Sequence, residues 1–458
     1  MQKFLFKTYI FLIFIFAAFC NNAIANPVSK AIDNTGLGSD SVISVSVLNA
    51  KTKECAYSRR PNIYLNPAST LKVFTLAAAL NELGDNYHFE TIAYIDEDKN
   101  LYLKLGADPL LTSNDLNTLA KNIKTAYGGH IRNFYIDDTI IDKKPYPDGW
   151  TVDDLWPNAP KISPYIVDKN SVKINFYVSG DKNNVKITQT DDYKLSFINE
   201  LNVGLKTDFK PALNYGEKTG IISLQGQIAS DTVMDFPVLD PAQFFVFKLR
   251  KALEKNGISY SKPFYTKRVP QNAKRIASFR RPLREALKFA LKTSDNFTTE
   301  TVFKLAGGAW AKRVNSAEKP GNFEDAKAMF FEYYGKADDE AILDTDRINL
   351  VDASGVSRYN AFSALWMSSA LAFLGENSKI KEYMITADEG TLIRCMRDLS
   401  GNLKAKTGTI FGVSSLAGYI TSNAGSDYVF SIIIQNYGVR PSLVKGLEDD
   451  IVYGIYSL

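Results

Sequence analysis

The chain has 458 residues, 54 basic against 50 acidic side chains, a net charge of +4 and 45% hydrophobic content, which gives no electrostatic footprint for nucleic acid and ample apolar material for a large core. Two histidines and three cysteines leave almost no raw material for a histidine-based triad, a multi-histidine metal centre or a cysteine-rich zinc site. No metal or cofactor is expected, and any serine chemistry needs another base.

The first 25 residues read as a secretory signal: Lys3 and Lys7, an apolar run from Tyr9 to Phe19, then Ala23-Ile24-Ala25 as a small-x-small cleavage site before Asn26. Cys20 raises a lipoprotein alternative, but bulky Phe19 precedes it where such signals want a small residue. Export to the periplasm leaves Cys55 and Cys395, enough for at most one disulfide, and sequence does not say whether they pair. Removing the leader's two cations from +4 leaves +2. No apolar run of about 18 residues follows, and Glu448, Asp449 and Asp450 deny the C-terminal stretch the basic character of an anionic-membrane anchor. Membrane association is therefore at most peripheral.

Val42 to Leu48 alternates well enough for a strand, and Lys51 to Lys53 turns it into a second at Cys55 to Tyr57. Asn66 can cap a helix, Pro67 suits its first position and Gly84 its stop, which predicts a helix over 67–83. From Leu71 to Leu80 that helix is apolar on every face except at Lys72 and Thr75, the pattern of a buried helix. From about 87 to 265 the texture changes to short strands and polar turns, read as an insertion of two small β-rich domains. Its one evident helix runs from Pro241 to Lys255 and stops at Gly257. The first domain then comprises 26–86 and 266–458. It continues with a helix opened by Pro282 and ending at Thr293-Ser294-Asp295-Asn296, helical stretches near 322–334, 362–373 and 391–399, strands over 404–410, 414–420 and 428–435, and a closing helix near 443–453.

Ser69 and Lys72 are three residues apart and share a helix face. In the first turn Ser69 meets orphan backbone N–H groups that favour developing negative charge, and burial lowers a lysine's pKa as a base requires. The plain alternative is a helix-start serine beside a lysine that snorkels to the surface. Ser-x-x-Lys also occurs at Ser179, Ser259, Ser316, Ser378 and Ser442, so the pair needs partners. Ser294-Asp295-Asn296 is one candidate, although Ser400-Gly401-Asn402 matches it and such residues commonly only cap helices. Lys-Thr-Gly occurs at 218–220, where a turn leading into a strand is the simpler reading, and at 406–408. In the second copy, strand alternation puts Lys406 and Gly408 on one face: a cation for a substrate carboxylate, and a bare position for a substrate backbone.

The order Ser-x-x-Lys, Ser-x-Asn, Lys-Thr-Gly is shared by penicillin-binding proteins and class A β-lactamases. The long separation of Ser69 from Ser294 departs from a compact β-lactamase. With Gly106 to Leu111, Gly149 to Leu155, Asp352 to Asn360, Glu389 to Leu392 and Lys404 to Tyr419, the chain resembles the DacB-type D-alanyl-D-alanine carboxypeptidase/endopeptidases, the class C low-molecular-mass penicillin-binding proteins, from Ser44 to Gln435. Two departures stand out: 154–160 is about two residues short, and Ala353 replaces a more usual glycine.

The resemblance implies an α/β (α+β) transpeptidase/β-lactamase-like domain, an antiparallel sheet flanked by helices, with the extra domains nested between the first two motifs. It implies Ser69 as the acylated nucleophile, Lys72 as its base, Ser294 as a proton relay and Asn296 as a holder of the substrate amide. Lys406 and Thr407 would bind the terminal carboxylate, and the backbone N–H groups of Ser69 and Thr409 form the natural oxyanion pair. Asp153 and Arg358 would read the diaminopimelate side chain of the peptidoglycan stem peptide; an ordinary interdomain ion pair is the alternative, and Asp154 could take the polar role. β-Lactam antibiotics would acylate the same serine. A β-lactamase of the same superfamily and a non-catalytic peptidoglycan-binding scaffold are the competing functions.

Overall fold

A computed structural model describes residues 26–37, 41–178, 185–214, 220–260, 264–316, 318–336, 343–393 and 395–458. The expected leader and Lys218 and Thr219 of the first Lys-Thr-Gly copy lie outside the described residues. The chain forms two compact units: Met1–Asp85, Leu287–Thr299 and Lys327–Leu458 make one, and Asn86–Ala286 with Glu300–Ala326 the other.

In the first unit a six-stranded antiparallel sheet runs in the order Ile385–Thr386, Leu403–Ile410, Val413–Thr421, Asp427–Gln435, Val42–Asn49, Cys55–Arg59. The two ends of the domain sequence thus meet side by side, Val42 opposite Gln435 and Asn49 opposite Tyr428. Both faces of this sheet are covered, and the strand alternation says by what. Val45, Val47, Leu403, Ala405 and Leu416 pack in one core with the closing helix Pro441–Tyr456 and the short helix Pro27–Asn34. Side chains on the intervening positions turn the other way: Ser46 Oγ meets Ser368 Oγ at 2.7 Å on the helix Ala364–Asn377. By the same alternation Lys406 and Gly408 face that second side, and Thr407 and Thr409 face the closing helix.

The expected 67–83 helix is a 3₁₀ turn, Ala68–Thr70, running into an α-helix, Leu71–Leu83. Asn66 Oδ1 accepts from the Ala68 amide at 2.8 Å, and Gly84 at φ 82° ends the helix, its amide donating to Leu80. Leu71 through Leu80 are all buried, Lys72 included. One expected helix is absent. Residues 391–399 form two 3₁₀ turns, Gly390–Leu392 and Arg397–Leu399, parted where Ile393 leaves helical geometry at ψ 131° and Met396 is left-handed at φ 47°; Gly390, at φ 49°, has no room for a Cβ, which would lie 2.4 Å from the Lys292 carbonyl oxygen. Conversely, an α-helix not expected from sequence occupies Asn296–Asn315.

The second unit holds a five-stranded sheet ordered Tyr265–Thr266, Phe134–Asp137, Leu101–Lys104, His88–Ile95, Lys274–Pro282, and two three-stranded sheets. It extends past residue 265 because Lys274–Pro282 pairs along His88–Ile95. The helix Pro241–Lys255, capped by Asp240, is joined by a second, Ser113–Ala126, opened by a Thr112/Asp115 capping box. Leu116, Leu119, Ile123, Phe244, Phe245 and Leu249 place both helices in one core with the sheets. Gly106 has no room for a Cβ, which would sit 2.5 Å from the Glu90 carbonyl oxygen, and Asp108 beside it pairs with Arg281 at 2.9 Å. Lys304, fully buried, is ion-paired to Asp142, donates to the carbonyls of Asp142 and Lys144 at 3.0 and 2.8 Å, and lies 4.8 Å from the Phe323 ring centre.

Candidate active site

The first unit brings the three motifs together. Lys72 Nζ lies 2.7 Å from Ser69 Oγ, 2.7 Å from Asn296 Oδ1 and 2.6 Å from the Ser354 carbonyl oxygen. Lys406 Nζ lies 2.9 Å from Ser294 Oγ and 2.7 Å from the Thr407 carbonyl oxygen. Burial, then the charges of Lys72 and Lys445, hold the Lys406 ammonium well below the ordinary lysine range.

Two residues at positive φ hold the reacting groups. Ala68, just before Ser69, has φ 46°, and Ser294 itself has φ 60°; neither is glycine, so each costs on the order of 1 kcal/mol or more, maintained by the surrounding packing. At Ser294 the left-handed residue turns the chain between the helices Leu283–Thr293 and Asn296–Asn315. Asp295 then caps the second helix, its Oδ1 accepting from the Thr298 amide at 2.8 Å. Asn296 is thereby fixed at the helix start, with its amide oxygen on Lys72.

The Asp352–Asn360 stretch wraps around one carboxylate. Asp352 accepts from the amides of Gly355, Val356 and Ser357 at 2.9, 2.9 and 2.8 Å and from Asn360 Nδ2 at 2.6 Å. The turn so formed presents the Ser354 carbonyl to Lys72 and the Ser357 carbonyl to Asn66 Nδ2 at 2.8 Å. Gly355 at φ 80° lies so close to the Ser69 turn that a Cβ would be 1.9 Å from the Ala68 carbonyl oxygen. Sequence reading found the stretch but not this role, because backbone carbonyls carry no residue signature.

Gly408 requires a correction. A bare position for a substrate backbone was expected, but a Cβ there would lie 2.3 Å from Ser415 Oγ and 2.8 Å from the Ser69 amide nitrogen. The glycine lets the strand Leu403–Ile410 approach the nucleophile's own backbone. Lys406 is also turned inward, fully buried and directed at Ser294.

A cavity of about 310 Å³ opens beside Ser69. Ser294, Thr391, Thr407, Thr409 and, from the closing helix, Lys445, Glu448 and Asp449 line it. Thr407 Oγ1 lies 2.7 Å from Thr391 Oγ1, which gives the Glu389–Leu392 stretch a place at the site. Cys395 also reaches the cavity, but burial and then Asp449 push its thiol up, leaving Ser69 the better-prepared nucleophile. Arg358 is exposed at the rim of the Asp352 turn, and Asp153 is exposed in a 3₁₀ turn, Val152–Asp154, of the second unit. Asp154 is committed to that turn, accepting from the Thr151 amide and hydroxyl at 2.9 and 2.8 Å. Among the described residues no cluster of metal-ligating side chains is present.

A serine whose hydroxyl touches a buried lysine, with a second serine–lysine pair and a glycine-bearing strand alongside, defines an active-site serine hydrolase of the penicillin-recognising fold. The family comparison makes this specific: the model of the D-Ala-D-Ala carboxypeptidase 3 (S13) family matches residues 24–452, and the chain belongs to that family. It is similar to the D-alanyl-D-alanine carboxypeptidase of Actinomadura sp. (strain R39), 27% identical over 88% of this chain and 80% of that one. The D-alanyl-D-alanine carboxypeptidase DacB of Haemophilus influenzae is 24% identical over 82% and 81%. In fold, the crystal structure of penicillin-binding protein 4 (dacB) from Haemophilus influenzae matches with a TM-score of 0.82 at 21% identity, covering 95% of this chain and all of that one. A second structure of that protein is a complex with a β-lactam.

Proposed function

We propose that the chain is a serine-type D-Ala-D-Ala carboxypeptidase of peptidoglycan that works through an acyl-enzyme on Ser69. The observation that carries this reading is the environment of Lys72 Nζ. A neutral amine has two N–H bonds and one lone pair. With Asn296 Oδ1 and the Ser354 carbonyl as acceptors for the two N–H bonds, the lone pair faces Ser69 Oγ at 2.7 Å and can take its proton. Ser69 Oγ then bonds to the carbonyl carbon of the penultimate D-alanine, and the backbone N–H groups of Ser69 and Thr409 receive the oxyanion. As the C–N bond breaks, the proton reaches the departing amine of D-alanine through Ser294, whose Oγ Lys406 holds at 2.9 Å. Water then releases the acyl group and returns the serine.

A β-lactam follows the same first step, but its amine stays tethered to the acyl group. Peptide cross-links, whose amine leaving group also carries a neighbouring carboxylate, fit the same chemistry, so endopeptidase action is part of the proposal. Asp153 and Arg358 are proposed readers of the diaminopimelate side chain. A periplasmic location is proposed from the leader pattern of residues 1–25; the helix Pro27–Asn34, capped by Asn26 and packed in the core of the first unit, supports a mature chain beginning at Asn26.

The test is labelling by fluorescent penicillin. Wild type is expected to form a stable adduct and Ser69→Ala none, with unchanged thermal unfolding. Equal labelling of both would sink the assignment, and rapid turnover of nitrocefin in place of trapping would favour a β-lactamase.

A further inference from the structure

The leaving D-alanine carries a carboxylate, and the strand Leu403–Ile410 divides the side chains that could meet it. Lys406 points to the inner side, fully buried, with its Nζ on Ser294 Oγ and the Thr407 carbonyl. It is not among the residues that line the cavity. Thr407 and Thr409 point the other way, into the cavity, and there the cation is Lys445 on the closing helix. Lys445 is half-buried, and its Nζ donates to Glu448 Oε2 at 2.9 Å; Glu448 itself is 2% exposed. An ammonium anchored on a buried carboxyl, beside two threonine hydroxyls and open to the cavity, is a built receptor for a carboxylate.

We propose that Lys445 is the specificity-determining cation for the carboxylate of the leaving group, acting with the hydroxyls of Thr407 and Thr409, while Lys406 serves Ser294. This deepens the carboxypeptidase reading and rests on it. The neighbouring charges fit the role. Burial raises the carboxyl of Glu448, and Lys445 pulls it back. Burial and then Glu448 raise Asp449, the other acid on the cavity, to about 6. Lys445 is the one cation among the described residues that line the cavity, so the attraction for a substrate carboxylate falls to it, against the repulsion of Glu448 and Asp449 where these are ionised. The arrangement escapes sequence reading because Lys445 follows the Lys-Thr-Gly stretch by two strands and reaches it only through packing.

The experiment compares a peptide ending in D-Ala-D-Ala with the same peptide amidated at its C-terminus, on wild type, Lys445→Met and Lys445→Arg. In Lys445→Met the KM for the free acid should rise roughly tenfold, the size of one charge-assisted hydrogen bond. kcat should move little, and the preference for acid over amide should collapse by the same factor. Lys445→Arg should restore most of that preference. If the methionine variant does not fold, Lys445→Gln, which can keep a hydrogen bond to Glu448, gives the same reading. An unchanged acid-over-amide ratio, or equal losses on both peptides, would overturn the assignment. Fluorescent penicillin separates the two levels: if wild-type Ser69 is acylated and the ratio does not move, only the Lys445 role falls, whereas no acylation of wild type overturns both.

Discussion

Lys304 in one unit and Lys406 in the other are both fully buried, and their neighbours give them opposite fates. Lys304 is wrapped by a carboxylate, two carbonyls and an aromatic ring. Burial pushes its pKa down and Asp142 pulls it back, so it serves as an internal clamp. Lys406 faces a hydroxyl and a carbonyl, and the nearby charges are other lysines, which add to the effect of burial. A buried lysine beside a carboxylate holds structure together; one set opposite other cations has its charged form disfavoured twice, by burial and by repulsion. The difference lies in the company, since the two side chains are chemically identical.

The comparison breaks first at the base. Lys72→Arg keeps a cation three residues from Ser69 and removes the lone pair, so the acylation rate by fluorescent penicillin should fall by about a thousandfold or more; a loss smaller than tenfold would mean that Lys72 only supplies charge. Lys304→Met tests the other side. It leaves the Asp142 and Lys144 carbonyls without this donor and the Asp142 carboxylate with only the Lys144 amide among the described residues, and should cost about 3 kcal/mol in denaturant unfolding, while the acylation rate of the folded fraction stays near wild type. Gly408→Ala pushes a methyl group against Ser69's amide nitrogen and Ser415 Oγ and should lower acylation about a hundredfold, the loss expected when one oxyanion donor is displaced.

The smallest effect is in pH. A lysine whose folded pKa lies below its unfolded value binds more protons unfolded than folded, so its burial penalty shrinks as pH rises from the folded pKa toward about 10.4. Lys406→Met should therefore flatten a gain in stability on the alkaline side. Asp449, raised to about 6, acts in the reverse sense: the folded state holds its proton more tightly, so stability falls as pH rises from about 4 to about 6, and Asp449→Asn should remove that slope. Melting temperatures across pH read both.

Much of the site was legible because its residues sit on strong local signals. Asn66-Pro67 at a helix start, Gly84 at its end and an all-round apolar run located the Ser69 helix within a turn, and period-two alternation located Lys406 on its strand. Other elements gave weaker signals. The helix from Asn296 opens with Thr298, Thr299, Glu300 and Thr301, all buried polar residues, so it shows no apolar stripe to read. Ser113–Ala126 carries its signature in Thr112 and Asp115, a short signal within a region dominated by strands. The 391–399 stretch carries helix-forming residues, but its backbone leaves the helical region at Ile393 and turns left-handed at Met396, which no local pattern announces. Ser354, Thr391 and Lys445 reach the site through a carbonyl, a side-chain contact and a helix packed from another part of the chain, none of which leaves a local pattern.

The pairing of Val42–Asn49 with Asp427–Gln435 has a consequence for how the molecule comes into being. Val42–Asn49 can pair early with Cys55–Arg59, but its other neighbour, Asp427–Gln435, arrives only when nearly the whole chain has been delivered, so closure of the sheet is a long-range event with a large loop to bring together. Every motif residue up to Lys406 can be present in a growing or truncated chain while the pocket around Ser69 is still unbuilt. Reactivity toward penicillin is thus a property gained at the last step, and a chain ending before Asp427 should carry the full set of signature residues and remain inert.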